Sequence, residues 1–115
     1  MSATLDTAAL VVTLSAAQTF VDWINTEAEV PNGYLWELDT PGSKFVRIVM
    51  STYTDPVTGG SRGRSVHAFV DLATGDLLKA AGWKTPAKGP RGNIVTDMDE
   101  IKRRFNWSGG YLYKR

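Results

Sequence analysis

A chain of 115 residues, 43% hydrophobic and 22% charged with a net charge of +1, has the size and balance of one domain with its own core. It has no cysteine and a single histidine, His67, which excludes disulfides, thiolate catalysis and zinc-ribbon sites and leaves no expected metal centre or cofactor. The longest apolar run, 8–12, is far short of the roughly 20 residues that cross a bilayer, so a single soluble, unexported domain over 1–115 is expected, with 1–6 as a loose tail.

Charge is divided unevenly along the chain. Residues 1–57 hold two cations, Lys44 and Arg47, against seven carboxylates, whereas residues 58–115 hold eleven cations against five. The halves are therefore −5 and +6. That layout produces either one cationic face or ion pairs running between the halves, and both stay open at this point.

The predicted elements begin at 8–14, an apolar and β-branched run that reads as a short strand. Ser15-Ala16-Ala17-Gln18 has a capping-box pattern, and Ala17, Phe20, Val21, Ile24 and Ala28 recur at helical spacing. A helix is expected from Ser15 to just before Pro31-Asn32-Gly33, with Gln18, Asp22, Asn25 and Glu29 facing water. Alternation then predicts a strand over 34–39 with Tyr34, Trp36 and Leu38 on one face. Thr40-Pro41-Gly42-Ser43 suits a type II turn, and 44–53 a return strand.

Residues 54–64 are polar, glycine-rich and end in Arg62 and Arg64, which marks a connection. A third strand over 65–70, a turn over 71–76 with Gly75 at positive φ, and a fourth strand over 77–81 complete an antiparallel meander. Residues 82–93 are too rich in glycine and proline for a helix or strand. Beyond them Thr96 would cap a short helix over 97–105, with acids in its first turn and Lys102, Arg103 and Arg104 in its last. Those three cations are either a solvated helix end or a contact patch. Residues 111–115 alternate aromatics like a terminal edge strand. The expected fold is α+β: an antiparallel sheet of four to five strands, one main packed helix, and a second short helix at one edge.

Few residues offer chemistry. Ser65, His67 and Asp71 share a strand face, but side chains on one strand run parallel rather than converging, so a catalytic triad is not expected. The glycine-rich stretch before Ser65 lacks the lysine and the following helix of a phosphate-binding loop. Paired carboxylates such as Asp97 and Asp99 sit where helix starts and turns want them. The expectation is a protein that binds rather than catalyses.

What it would bind is suggested by the segment 82–93, where cations alternate with glycine and proline around Trp83. Basic side chains in such a loop can hold phosphates while an indole stacks on a base or anchors the loop. The candidate contact residues are Arg62, Arg64, Lys79, Trp83, Lys84, Lys88, Arg91 and Asn93, with nucleic acid or a nucleotide as partner. If the third and fourth strands pair, the Arg62–Arg64 connection and the Trp83 loop leave the same end of that hairpin. Gly89 and Gly92 would let a ligand approach the backbone.

The run Asp71-Leu72-Ala73-Thr74-Gly75-Asp76, the Trp83-Lys84, Pro86-Ala87-Lys88 and Arg91-Gly92-Asn93 elements, and the Tyr111-Leu112-Tyr113 ending resemble small tailed-bacteriophage proteins of unassigned function. The resemblance covers the second half of the chain and implies a phage product in the cytoplasm of an infected bacterium. It carries no catalytic residues. The resulting expectation is a non-enzymatic phage protein that binds single-stranded nucleic acid. The alternatives are sequestration of a small nucleotide signal in the same loops, or capture of a host protein through the acidic first half, Trp36 and the 111–113 segment.

Overall fold

A long helix lies across one face of an antiparallel sheet in which the strands follow one another in chain order. The computed structural model describes residues 7–30, 33–39, 44–52 and 63–112. The tail expected at 1–6, the turn at 40–43, Arg62 and the rest of the connection up to it, and Tyr113 to Arg115 lie outside these residues.

Helix α1 spans Thr7–Thr26. The run 8–14, expected as a strand, is its first part, and Ser15 is an interior helical residue rather than a cap. The apolar spacing explains the difference: Leu10, Leu14, Ala17, Val21 and Ile24 continue one stripe from the β-branched stretch into the core, and tertiary packing outweighs the small helical penalty of Val11, Val12 and Thr13. Ala17, Phe20, Val21 and Ile24 are fully buried beneath it.

The sheet runs β1 (Tyr34–Asp39), β2 (Phe45–Thr52), β3 (Arg64–Asp71), β4 (Asp76–Lys79) and β5 (Gly92–Asn93), each antiparallel to the next. Trp36 pairs with Met50 and Leu38 with Ile48, so Trp36, Ile48, Val46, Val70 and Leu77 face α1 and form the core. Val49, Phe69 and Leu78 fall on the other face by strand alternation and are buried as well. Between Ile48 and Val49 the β2–β3 register shifts by one residue, which leaves His67 unpaired in a bulge.

Three other expectations are corrected. Gly92–Asn93, placed in a loop, is the fifth strand: Arg91 and Ile94 also donate to Leu77 and Gly75 carbonyls, so the chain is drawn back to β4 by backbone pairing that local composition does not encode. Helix α2 (Met98–Arg104) begins one residue later than expected, with Asp97 rather than Thr96 in the capping position and no side-chain cap bond from it; the Thr96 N–H is taken by Asn93 Oδ1. Residues Gly110–Leu112 form a 3-10 helix rather than an edge strand, because Leu112 is buried in the core and its N–H reaches back to Gly109.

Candidate functional site

The outer face of the sheet and the segment that follows β4 meet at Arg47. On β2 this residue alternates with core-facing Val46 and Ile48, so its side chain falls on the side away from α1. It is 7% exposed. Its Nη2 lies 3.3 Å from Asp39 on β1, its Nη1 donates to the Trp83 carbonyl at 2.7 Å, and its guanidinium lies 4.7 Å from the centre of the indole. The loop is thereby docked on the sheet by an ion pair, a charge-assisted hydrogen bond and a cation–π contact together.

Arg64 reaches the same indole from β3, its guanidinium 5.7 Å from the ring centre. The expected convergence of the two basic segments holds for this residue. Arg64 belongs to the strand rather than to the connection before it, and Glu37 of β1 sits 3.8 Å away. Both side chains of that pair are half exposed, where such an ion pair is worth at most about 1 kcal/mol. It is the one ion pair among the described residues that joins the acidic half to the basic half.

The other expected contact residues divide. Trp83 remains 40% exposed. Lys84 and Lys88 are exposed, and no carboxylate among the described residues pairs with either. Lys79, at the end of β4, is half-buried and its ammonium is 3.4 Å from the Ala80 carbonyl. Arg91 turns inward: Nε donates to the Leu112 carbonyl at 2.7 Å, and Nη1 to the carbonyls of Lys88, at 2.8 Å, and Gly89. Asn93 is equally occupied, donating to Thr74 O and Asp76 while accepting from the N–H groups of Val95 and Thr96. Through these bonds both hold the loop and the chain end in place. Gly92 likewise makes room for Ile101 of α2, whose side chain would lie 3.0 Å from an added Cβ.

The run Lys102-Arg103-Arg104 is also accounted for within the fold. Lys102 lies over the Trp23 ring at 5.6 Å, Arg103 and Arg104 pair with Glu100, and Arg104 donates to the Arg91 and Tyr111 carbonyls.

No catalytic constellation forms around His67. The register shift puts Ser65, opposite Met50, and Asp71, opposite Phe45, on different faces. His67 itself is buried among Trp36, Phe105 and Tyr111 and shares a 2.8 Å hydrogen bond with the Tyr111 hydroxyl. Burial lowers its pKa from 6.5 to about 4 and pushes the Tyr111 hydroxyl well above its ordinary value. Of the surface expected for a host protein, Trp36 and Leu112 are each 1% exposed and Tyr111 is engaged with His67, whereas Asp22, Glu27, Glu29 and Glu37 are exposed and Tyr113 lies outside the described residues. No group of three or more His, Asp or Glu side chains among the described residues could hold a metal ion, and no described helix is long and apolar enough to cross a membrane.

Arg47 is the residue of this candidate site that sequence reasoning passes over. The available signal was a lone arginine in an otherwise apolar strand, at a position that alternation sends to the face bearing Asp39. What results is an indole fixed from beneath by one buried arginine, flanked by a second, and followed by two lysines open to solvent. No curated protein and no solved structure matches the chain significantly. The model of one family matches residues 3–114, and with nearly its whole length covered the chain belongs to that family of unknown function (DUF7717).

Proposed function

We propose that this is a phage protein that binds single-stranded nucleic acid in the cytoplasm of the infected bacterium and catalyses no reaction on it. The phage setting rests on the resemblance carried by the second half of the chain. The nucleic-acid reading is carried by one observation: between Leu77 and Thr96 there is no carboxylate, and that segment carries a half-exposed Trp83 together with exposed Lys84 and Lys88, neither paired with a carboxylate among the described residues. An indole stacks on a base that is free of a duplex, and ammonium groups in the same carboxylate-free segment suit nearby phosphates. Arg64 adds charge beside the ring, Arg47 holds the loop in place, and Arg91 and Asn93 fix its shape without touching the ligand.

Anisotropy titration of a labelled single-stranded oligonucleotide tests this. Binding is expected at low salt and should weaken as salt rises, with Trp83→Ala, Lys84→Ala and Lys88→Ala each reducing affinity for all sequences alike. A duplex of the same sequence should bind less tightly. Absence of binding at low salt overturns the proposal, and a thermal shift with cyclic nucleotides alone would transfer the site to a small nucleotide.

A further inference from the structure

Helix α1 contains no Asp, Glu, Lys or Arg from Thr7 to Val21, yet Val11, Val12, Ser15, Gln18 and Thr19 are exposed. Val11 is 60% and Val12 52% exposed. A helix face turned only to water carries charged side chains. A face depleted of charge and bearing aliphatic groups has the composition of an interface centre.

This face is one wall of a groove. Val11, Val12, Ser15 and Ala16 stand opposite Val95 and Met98 around an open volume of about 430 Å³. Val95 and Met98 also border a second open volume of about 460 Å³, which continues past Asp97, Asp99 and Glu100, with Arg103, the ion-pair partner of Glu100, also on its wall. The two form one trough with an aliphatic half and an acidic half. Glu100 is held by Arg103 and Arg104, but neither Asp97 nor Asp99 has an ion-pair partner among the described residues, and the Asp97 carboxylate does not bond the start of α2.

We infer that this trough docks a short segment of another protein that carries aliphatic side chains beside lysine or arginine. The aliphatic half takes the apolar anchors, and Asp97 and Asp99 meet the cations. Charge complementarity favours this occupant over a second copy of the chain, because α1 packed on α1 would bring no cation to the two carboxylates. The surface is separate from the Trp83 loop and does not depend on nucleic-acid binding.

The probe is a labelled amphipathic peptide of about 15 residues, long enough to form a helix, with leucines on one side and lysines on the other. Its control replaces every lysine with glutamate. The lysine peptide is expected to bind about tenfold or more tightly than the glutamate one, and the preference should shrink as salt rises. Val12→Asp should weaken binding by about tenfold or more. Ser15→Glu, at an exposed helical position, provides an independent block, and circular dichroism checks that both variants keep their helix. The double change Asp97→Asn and Asp99→Asn should remove most of the salt-sensitive part, while Lys84→Ala with Lys88→Ala should leave peptide binding unchanged. Equal binding of the two peptides, or full binding by Val12→Asp and Ser15→Glu, overturns the inference. It is also overturned if the wild-type chain is a dimer by light scattering that Val12→Asp dissociates.

Discussion

The Arg47 guanidinium touches Asp39, the Trp83 carbonyl and the Trp83 ring, while its Nε is buried with no partner among the described residues. Replacing it by alanine strands a half-buried carboxylate and a carbonyl, and removes the floor of the indole. A loss of about 3 kcal/mol is expected in urea unfolding, together with a red-shifted Trp83 emission as the loop detaches. Arg47→Lys should recover little of this, because a point ammonium cannot bond two acceptors and stack at once. His67 gives a second test at the same scale. Its pKa of about 4 in the folded chain lies below the ordinary 6.5, so the unfolded chain binds the proton more readily. Stability from this residue is therefore full above about pH 6.5 and is lost as the pH falls towards 4, by at most about 3 kcal/mol. Urea midpoints measured from pH 7 to pH 4 should fall, and His67→Gln should flatten that part of the profile.

Elements whose register depends on one contact are the next level. The Asn25 side-chain amide donates to the Trp36 carbonyl at 2.7 Å and accepts from the Trp36 N–H at 2.9 Å, so it pairs with the outer edge of β1 as a neighbouring strand would. Expected only to face water, it ties α1 to the sheet. Asn25→Ala should cost about 1–3 kcal/mol by leaving both backbone groups unpaired, and should raise amide exchange at Trp36. The β4–β5 pairing depends instead on glycine. Gly75 has φ +82°, and an added Cβ would lie 2.7 Å from Val95; Gly92 would meet Ile101 at 3.0 Å. Alanine at either position is expected to destabilise by more than the 0.4–1 kcal/mol that a compatible Gly→Ala change gains, which thermal melts will read. Tyr34–Asp39 was legible in the sequence from its alternation, and Phe45–Thr52 and Arg64–Asp71 from their β-branched and aromatic content between turn residues. Gly92–Asn93 and Gly110–Leu112 were not, since two or three residues carry no period and their positions are set by distant partners. The same limit applied to the candidate site: Trp83, Lys84 and Lys88 could be found by composition, whereas the inward turn of Arg91 and Asn93 depends on Leu112, Thr74 and Asp76.

Across the whole molecule, much of the charge asymmetry between the halves is taken up within the fold among the described residues. Glu37 and Asp39 project from β1 towards Arg64 and Arg47, Glu100 holds Arg103 and Arg104, and backbone carbonyls surround Arg91. Among the described residues the exposed cations without a carboxylate partner at the candidate site are Lys84 and Lys88, with Arg64 only weakly held. This count fixes an observable. For single strands the logarithm of the binding constant falls with the logarithm of salt by about 0.7 for each phosphate neutralised. Two or three cations therefore give a slope of roughly −1.4 to −2.1. Lys84→Ala with Lys88→Ala should make it shallower by about 1.4, whereas Arg91→Ala should unsettle the loop and the chain end by losing its carbonyl bonds, a change visible as lower stability at every salt concentration. A wild-type slope of about −4 or steeper would require about six phosphate contacts, and would mean that cations beyond Lys84, Lys88 and Arg64 reach the strand.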